Sequence, residues 1–392
     1  MSRNDFRRRQ AQRQRRKLVR HLPIILALFL AFSALAAGVF ALTRFVLNRQ
    51  PISSASASSS TAKTTSEDPA QPISSPASGT LAQAAYIAAG YDYDRAIALI
   101  KEDSSLAEDP AALEAITSYE EAKASLLPAD VQNVPHVFFH SLIMDTAKAF
   151  DGDSRTPGYN SVMTTKDEFL KMLDAFYEDG YVLVRIRDIA SETTDENGNT
   201  VFSWGEILLP EGKKPLVMSQ DDVCYYPYME KDGFARRIVI GEDGKPTAEM
   251  VMEDGSISTG PYDLIPILED FIEEHPDFSY KGARAIIAFT GYEGILGYRT
   301  AASYSDSPNY EQDREQAAKV AQCLKDNGWE LASHSWGHLW MGVSSVPGET
   351  FKISDERFYT DTDKWEAEVE SLIGPTDIYI YPNGNDVADW RP

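Results

Sequence analysis

The chain has 392 residues, 43% of them hydrophobic and 11% aromatic, enough for two or three average domains or one large barrel with appendages. Its net charge of −23 is unevenly spread. Residues 1–50 hold eleven Lys/Arg and one acidic residue, which leaves 26 of the 37 basic and 59 of the 60 acidic side chains for the rest. So acidic a body repels phosphates, which excludes nucleic acid as a partner and favours a neutral or cationic polymer.

Residues 1–20 form a basic block that includes Arg7, Arg8, Arg9, Arg13, Arg15, Arg16 and Lys17. A transmembrane helix is expected over 21–47, because no charged residue falls between Pro23 and Leu42. Twenty helical residues at about 1.5 Å each cover about 30 Å, the thickness of the hydrocarbon core. The basic block in front predicts a cytoplasmic N-terminus, a single pass through the cell membrane and an extracytoplasmic body. A cleaved signal peptide is the alternative, with Ala34, Ala36 and Ala37 as small residues for cleavage. The apolar run is longer than the roughly 7–15 residues of a signal h-region.

Residues 48–80 are rich in Ser, Ala and Thr and nearly lack large apolar side chains. They are expected to be a disordered stalk, since they cannot bury enough surface to offset their conformational entropy. From 81 to 130 the spacing turns helical, with Leu81, Ala84, Ala85 and Ile87, then Ala96, Ile97, Leu99 and Ile100. An Ala/Glu-rich run follows from Ala111 to Leu127, and the whole reads as a small helical spacer.

Residues 131–392 change character. Short apolar runs (His136–Phe139, Tyr181–Ile186, Pro215–Met218, Arg284–Phe289, Glu330–Ala332 and Asp377–Tyr381) alternate with amphipathic helices such as Thr165–Glu178 and Tyr310–Asn327. That alternation predicts an α/β fold, as an open sheet or a barrel. Two cysteines, Cys224 and Cys323, make no disulfide framework; they read as two core thiols or one bridge.

Two clusters carry chemistry. Ser219-Gln220-Asp221-Asp222 follows the apolar run Pro215–Met218, so two adjacent carboxylates fall at a strand's C-terminal end, where α/β enzymes place catalytic groups. Taken alone, such a pair is more often solvated loop acid. Ser333-His334-Ser335-Trp336-Gly337-His338 follows another apolar run and contains two of the six histidines, four residues apart. Ser335 stands where a zincin would need glutamate. One carboxylate and two imidazoles make a three-ligand set with positions left open, the form of a catalytic metal site. The neighbouring carboxylate is then available as a base.

These motifs resemble the polysaccharide deacetylase (NodB-homology, carbohydrate esterase family 4) domain. That family reads Thr-Phe-Asp-Asp-Gly, then His-Ser/Thr-x-x-His, then Arg-x-Pro-Tyr-Gly or Tyr-Pro-Tyr-Gly. The counterparts are Ser219–Val223, His334–His338 and Tyr381-Pro382-Asn383-Gly384, with Pro135–Ser141 similar to the family's opening strand. The resemblance implies a distorted (β/α) barrel, a divalent metal expected to be Zn2+ on Asp222, His334 and His338, and Asp221 as general base. It implies a backbone N–H of Asn383 as oxyanion donor. The implied reaction is hydrolysis of N-acetyl, or O-acetyl, groups from a cell-envelope polysaccharide. Tyr225, Trp336, Tyr381 and Pro382 are the candidate substrate contacts; Tyr225 and Trp336, with Tyr226, Tyr228 and Trp340, suit either sugar stacking or core packing. His140 suits either the site or the core.

The sequence also departs from the family. Gln220 and Val223 replace its Phe and Gly, and no arginine precedes Tyr381-Pro382. An insertion from about Tyr225 to Tyr280, with a hairpin around Gly241–Gly244, is expected over the barrel mouth. The chain ends at Pro392, soon after the third motif, so the C-terminal part of the barrel, with the family's Leu-x-x-His acid, is expected to be missing. Asp386–Trp390 spells another family motif, Asp-x-x-Asp-Trp, at too early a position. Two other functions stay open: a non-catalytic metal- or carbohydrate-binding module on the same fold, and a scaffold whose N-terminal helices recruit a partner.

Overall fold

The structure, a computed structural model, describes residues 79–342 and 353–384. The basic block, the 21–47 helix, the stalk up to residue 78 and the Asp386–Trp390 run lie outside these residues. Among the described residues no helix is long and apolar enough to cross a membrane.

Three helices come first: α1 Thr80–Ala89, α2 Tyr93–Glu102 and α3 Pro110–Ala124. Aspartates set two of their starts. Asp92 accepts from the Arg95 amide, and Asp109 accepts from the Ala111 and Ala112 amides with Pro110 in the first turn. Small side chains at Ala84, Ala88, Ala96 and Ala112 let the helices close on Ile87 and Ile100. Tyr91, in the turn between α1 and α2, donates from its hydroxyl to the Asp277 carbonyl at 2.8 Å and docks this segment on the α/β part.

The α/β part opens with strand β1 (His136–Phe139) and helix α4 (Lys166–Glu178), whose capping box joins Thr165 and Glu168. Strand β2 (Tyr181–Leu183) and the short helix α5 (Ile186–Ile189) follow, so the predicted run Tyr181–Ile186 divides into strand and helix. The chain then forms the antiparallel hairpin β3 (Ala190–Thr194) and β4 (Thr200–Trp204). Strand β5 (Lys214–Gln220) leads into an antiparallel sheet of β6 (Arg237–Ile240), β7 (Pro246–Val251) and β8 (Ile257–Gly260). Helix α6 (Leu264–Glu274), strand β9 (Ile286–Phe289), helix α7 (Tyr310–Asp326), strand β10 (Glu330–Ser333) and helix α8 (Asp355–Trp365) complete the labelled elements.

The main sheet is five-stranded and parallel, in the order β10-β9-β5-β1, with β2 pairing the first half of β5. Alternation along β5 separates its side chains. Leu216 and Met218 face a core that includes Phe169 and Leu173 of α4, Leu264 and Leu268 of α6 and Val320 and Leu324 of α7. Val217 joins a second cluster with Ile286, Ala288 and Ala332 on the opposite face. Burying each such large apolar side chain contributes about 1.5–3 kcal/mol.

Three expectations change here. The parallel sheet is present, but among the described residues it stays open, because its outer strands β1 and β10 do not pair with each other. Asp377–Tyr381 forms a single parallel bridge, Ser333 with Tyr379, rather than a strand. The insertion packs away from the mouth, with Ile238 and Ala248 sunk in the core that α6 and α7 cover. Its hairpin is where the Gly241–Gly244 pattern puts it, but apolar alternation along β7 ties it to the helices. Cys224 and Cys323 are both buried and unbridged.

Candidate metal centre

Asp221 and Asp222 stand just beyond β5, and His334 just beyond β10, at the C-terminal ends of parallel strands. Asp222, His334 and His338 each offer one donor atom, and these atoms all lie within 4.8 Å of one another. His338 Nε2 is 3.7 Å from Asp222 Oδ2, and the two imidazoles are 5.1 Å apart between centroids. Zinc ligands at about 2.0–2.2 Å from the ion stand roughly 3.3–3.6 Å apart, so small side-chain rotations bring this set to bonding geometry. Oδ1 of Asp222 is buried with no hydrogen-bond partner. A carboxylate with one oxygen buried and orphaned and the other, Oδ2, facing the His338 imidazole fits a divalent cation.

The surroundings favour the ligand forms. His334 Nδ1 donates to the Ile380 carbonyl at 2.8 Å, which fixes the tautomer and leaves Nε2 as the nitrogen able to ligate. Burial pushes the His334 imidazole down to about 4, so it stays neutral and able to ligate. The loop between the two histidines is tied down by Asp361 of α8, which accepts from Ser335 Oγ and from the amides of Trp336 and Gly337. Gly291 leaves room for the indole of Trp336, which a side chain at that position would strike.

Backbone conformation marks the same loops. Eight described non-glycine residues have positive φ, and five of them are Asp222, Tyr225, Ser335, His338 and Asn383. Such residues are held against a cost of order 1–3 kcal/mol each, and they gather where surrounding contacts over-determine them. Two of the five are candidate metal ligands.

Asp221 is buried beside Asp222, and desolvation pushes its carboxyl up to about 7; a hydrogen bond from Ser219 opposes that rise, and the Asp222 charge adds to it. Near neutral pH this carboxylate exchanges protons readily, as a general base needs to. His140, left on two readings by the sequence, reaches the site: its Nε2 is 3.9 Å from Asp222 Oδ2.

Asp221, Asp222, His334, His338 and His140 line one cavity of about 1240 Å³. Tyr381 and Asn383 line it too, whereas Pro382 is buried and does not. Tyr225 does not line it either. Only 3% of Tyr225 is exposed, its hydroxyl donates to Asp263, and burial raises its phenol well above the ordinary value. A ring so enclosed cannot stack on a ligand. Trp336 turns to a separate depression, with the Lys364 ammonium 4.5 Å from its ring centre. The exposed aromatics that do line the cavity are Phe138 of β1 (60% exposed) and Phe202 (74%) and Trp204 (61%) of β4. Nothing local in the sequence marks them, because they reach the cavity through the pairing of distant strands.

No family model matches the chain, and no curated protein matches it. Among solved structures it is similar to a de-N-acetylase from Aggregatibacter actinomycetemcomitans, at 14% identity over 64% of this chain and 80% of that one, with a TM-score of 0.33.

Proposed function

We propose that the protein is a metal-dependent deacetylase that removes acetyl groups from a cell-envelope polysaccharide. The observation that carries this reading is the Asp222, His334 and His338 donor set with the buried Asp221 carboxylate beside it, inside one cavity. A divalent cation bound there, with Zn2+ the expected ion, supplies Lewis acidity at the acyl carbonyl. Asp221 takes the proton from the attacking water and can return it to the leaving amine or hydroxyl. The backbone N–H of Asn383, in the Pro382–Gly384 turn, is the proposed donor to the developing oxyanion. Tyr381, which lines the cavity, is the proposed contact to the sugar. The basic block and the 21–47 helix are proposed to anchor the chain in the cell membrane, with this body outside.

The test is acetate release from acetylated chito-oligosaccharides by the zinc-loaded chain, with Asp221→Asn as the control. Wild type should release acetate, and Asp221→Asn should keep the metal while losing activity by about 10²–10⁴-fold. Metal binding without acetate release would favour the non-catalytic binding module.

A further inference from the structure

Asp221 is the end of a chain of side chains on the cavity face of the sheet. Ser219 Oγ donates to Asp221 Oδ1 at 3.0 Å and stands 3.0 Å from His136 Nε2. Strand register makes this possible. β1 and β5 run parallel with His136 opposite Val217 and Phe138 opposite Ser219, and alternation turns His136, Ser219 and Asp221 to one face. A serine hydroxyl has a single proton. Once that proton is given to the carboxylate, Oγ can only accept, so His136 must offer Nε2–H. The hydrogen bonds therefore run one way, from His136 through Ser219 to Asp221. Ser219 is fully buried, so no bulk water stands ready to replace either contact.

We propose that His136 and Ser219 are positioning residues that hold the Asp221 carboxylate in one rotamer, engaging Oδ1 and leaving proton transfer to Oδ2. This rests on the deacetylase reading for its catalytic meaning, while the relay itself is a matter of structure. A carboxylate that turns freely about χ2 spends only part of its time aimed at the attacking water. Fixing one oxygen removes that loss and leaves substrate binding untouched.

Two measurements on the full chain test it. In the metal-stripped protein, side-chain ¹⁵N NMR, with the His136 signals assigned by their loss in His136→Gln, should show the Nε2-protonated tautomer. Ser219→Ala should shift those signals. An Nδ1-protonated ring, or signals indifferent to Ser219→Ala, would overturn the relay. In the zinc-loaded protein, Ser219→Ala and His136→Leu should each lower kcat for acetate release about 10-fold, with KM and metal content unchanged. His136→Gln should recover most of the rate, because its amide N–H can donate in place of Nε2–H. The double variant Ser219→Ala/His136→Leu should be no worse than the poorer single, as expected for residues acting in series. Additive losses, or a glutamine variant as slow as the leucine one, would contradict the proposal. If wild type releases no acetate, the deacetylase reading fails, and the relay stands or falls on the NMR result.

Discussion

The Ser335 hydroxyl donates a 2.7 Å hydrogen bond to Asp361 Oδ1, from the loop between two candidate ligands to a helix that follows it. The same carboxylate accepts from the Trp336 and Gly337 amides at 2.7 and 2.8 Å. One buried anion thus holds three donors of a loop in which Ser335 and His338 both have positive φ. The loop's strained backbone is stabilised by Asp361, and the spacing of His334 and His338 follows from it.

Removing that anchor should loosen the metal set without touching a ligand. Asp361→Ala is expected to weaken zinc binding about 10–100-fold, the usual effect of losing a partner behind the ligands. Competition with a chromophoric chelator measures it. Asp361→Asn keeps an acceptor oxygen and should fall between wild type and Asp361→Ala.

Asp221 gives the metal-free protein a pH-dependent stability. Burial holds its carboxyl near 7 in the folded chain against 3.8 ordinarily. The folded state therefore binds the proton more tightly than the unfolded one. The stabilisation is present below about pH 4 and is lost as pH rises through 7. Its size is on the order of a few kcal/mol. Urea midpoints at pH 4.5 and 7.5 should fall more for wild type than for Asp221→Asn, which lacks the titrating group. Buried Asp263 and Glu330 are also shifted upward and contribute in the same direction, but equally in both proteins.

The core contains a charge pair whose disruption should be costly. Arg284 donates to Glu269 at 2.9 Å, Trp329 Nε1 donates to the other oxygen at 2.6 Å, and both charged side chains are buried. Glu269→Ala leaves the guanidinium without its partner inside the fold and should cost about 3–5 kcal/mol by urea unfolding. Glu269→Gln retains an acceptor for Trp329 and should cost less.

How much of this could be read in the sequence depended on distance along the chain. Asp221–Asp222 and His334–His338 are local patterns beside apolar runs, and both clusters fall at strand ends as those runs predict. The capping box of α4 is local too, since Thr165 and Glu168 are three residues apart. Asp361, His136 and Ser219 were not legible as supports, because each acts through a partner fixed only by packing or strand register. Tyr225, open between sugar contact and core packing in the sequence, was undecided for the same reason: being next to a motif does not show which way the ring points. Its burial follows from Asp263, a carboxylate at the start of α6 that also takes hydrogen bonds from the Leu142 amide and Gln220 Nε2. That contact also accounts for a polar Gln220 on the core side of β5.

Zinc titration of the metal-stripped chain decides whether Asp222, His334 and His338 form a metal site. Wild type should bind one ion tightly per chain, and Asp222→Ala, His334→Ala and His338→Ala should bind none at comparable affinity, with folding retained by circular dichroism. Wild-type protein that binds no zinc, or variants that bind it as tightly as wild type, would contradict the assignment of the site.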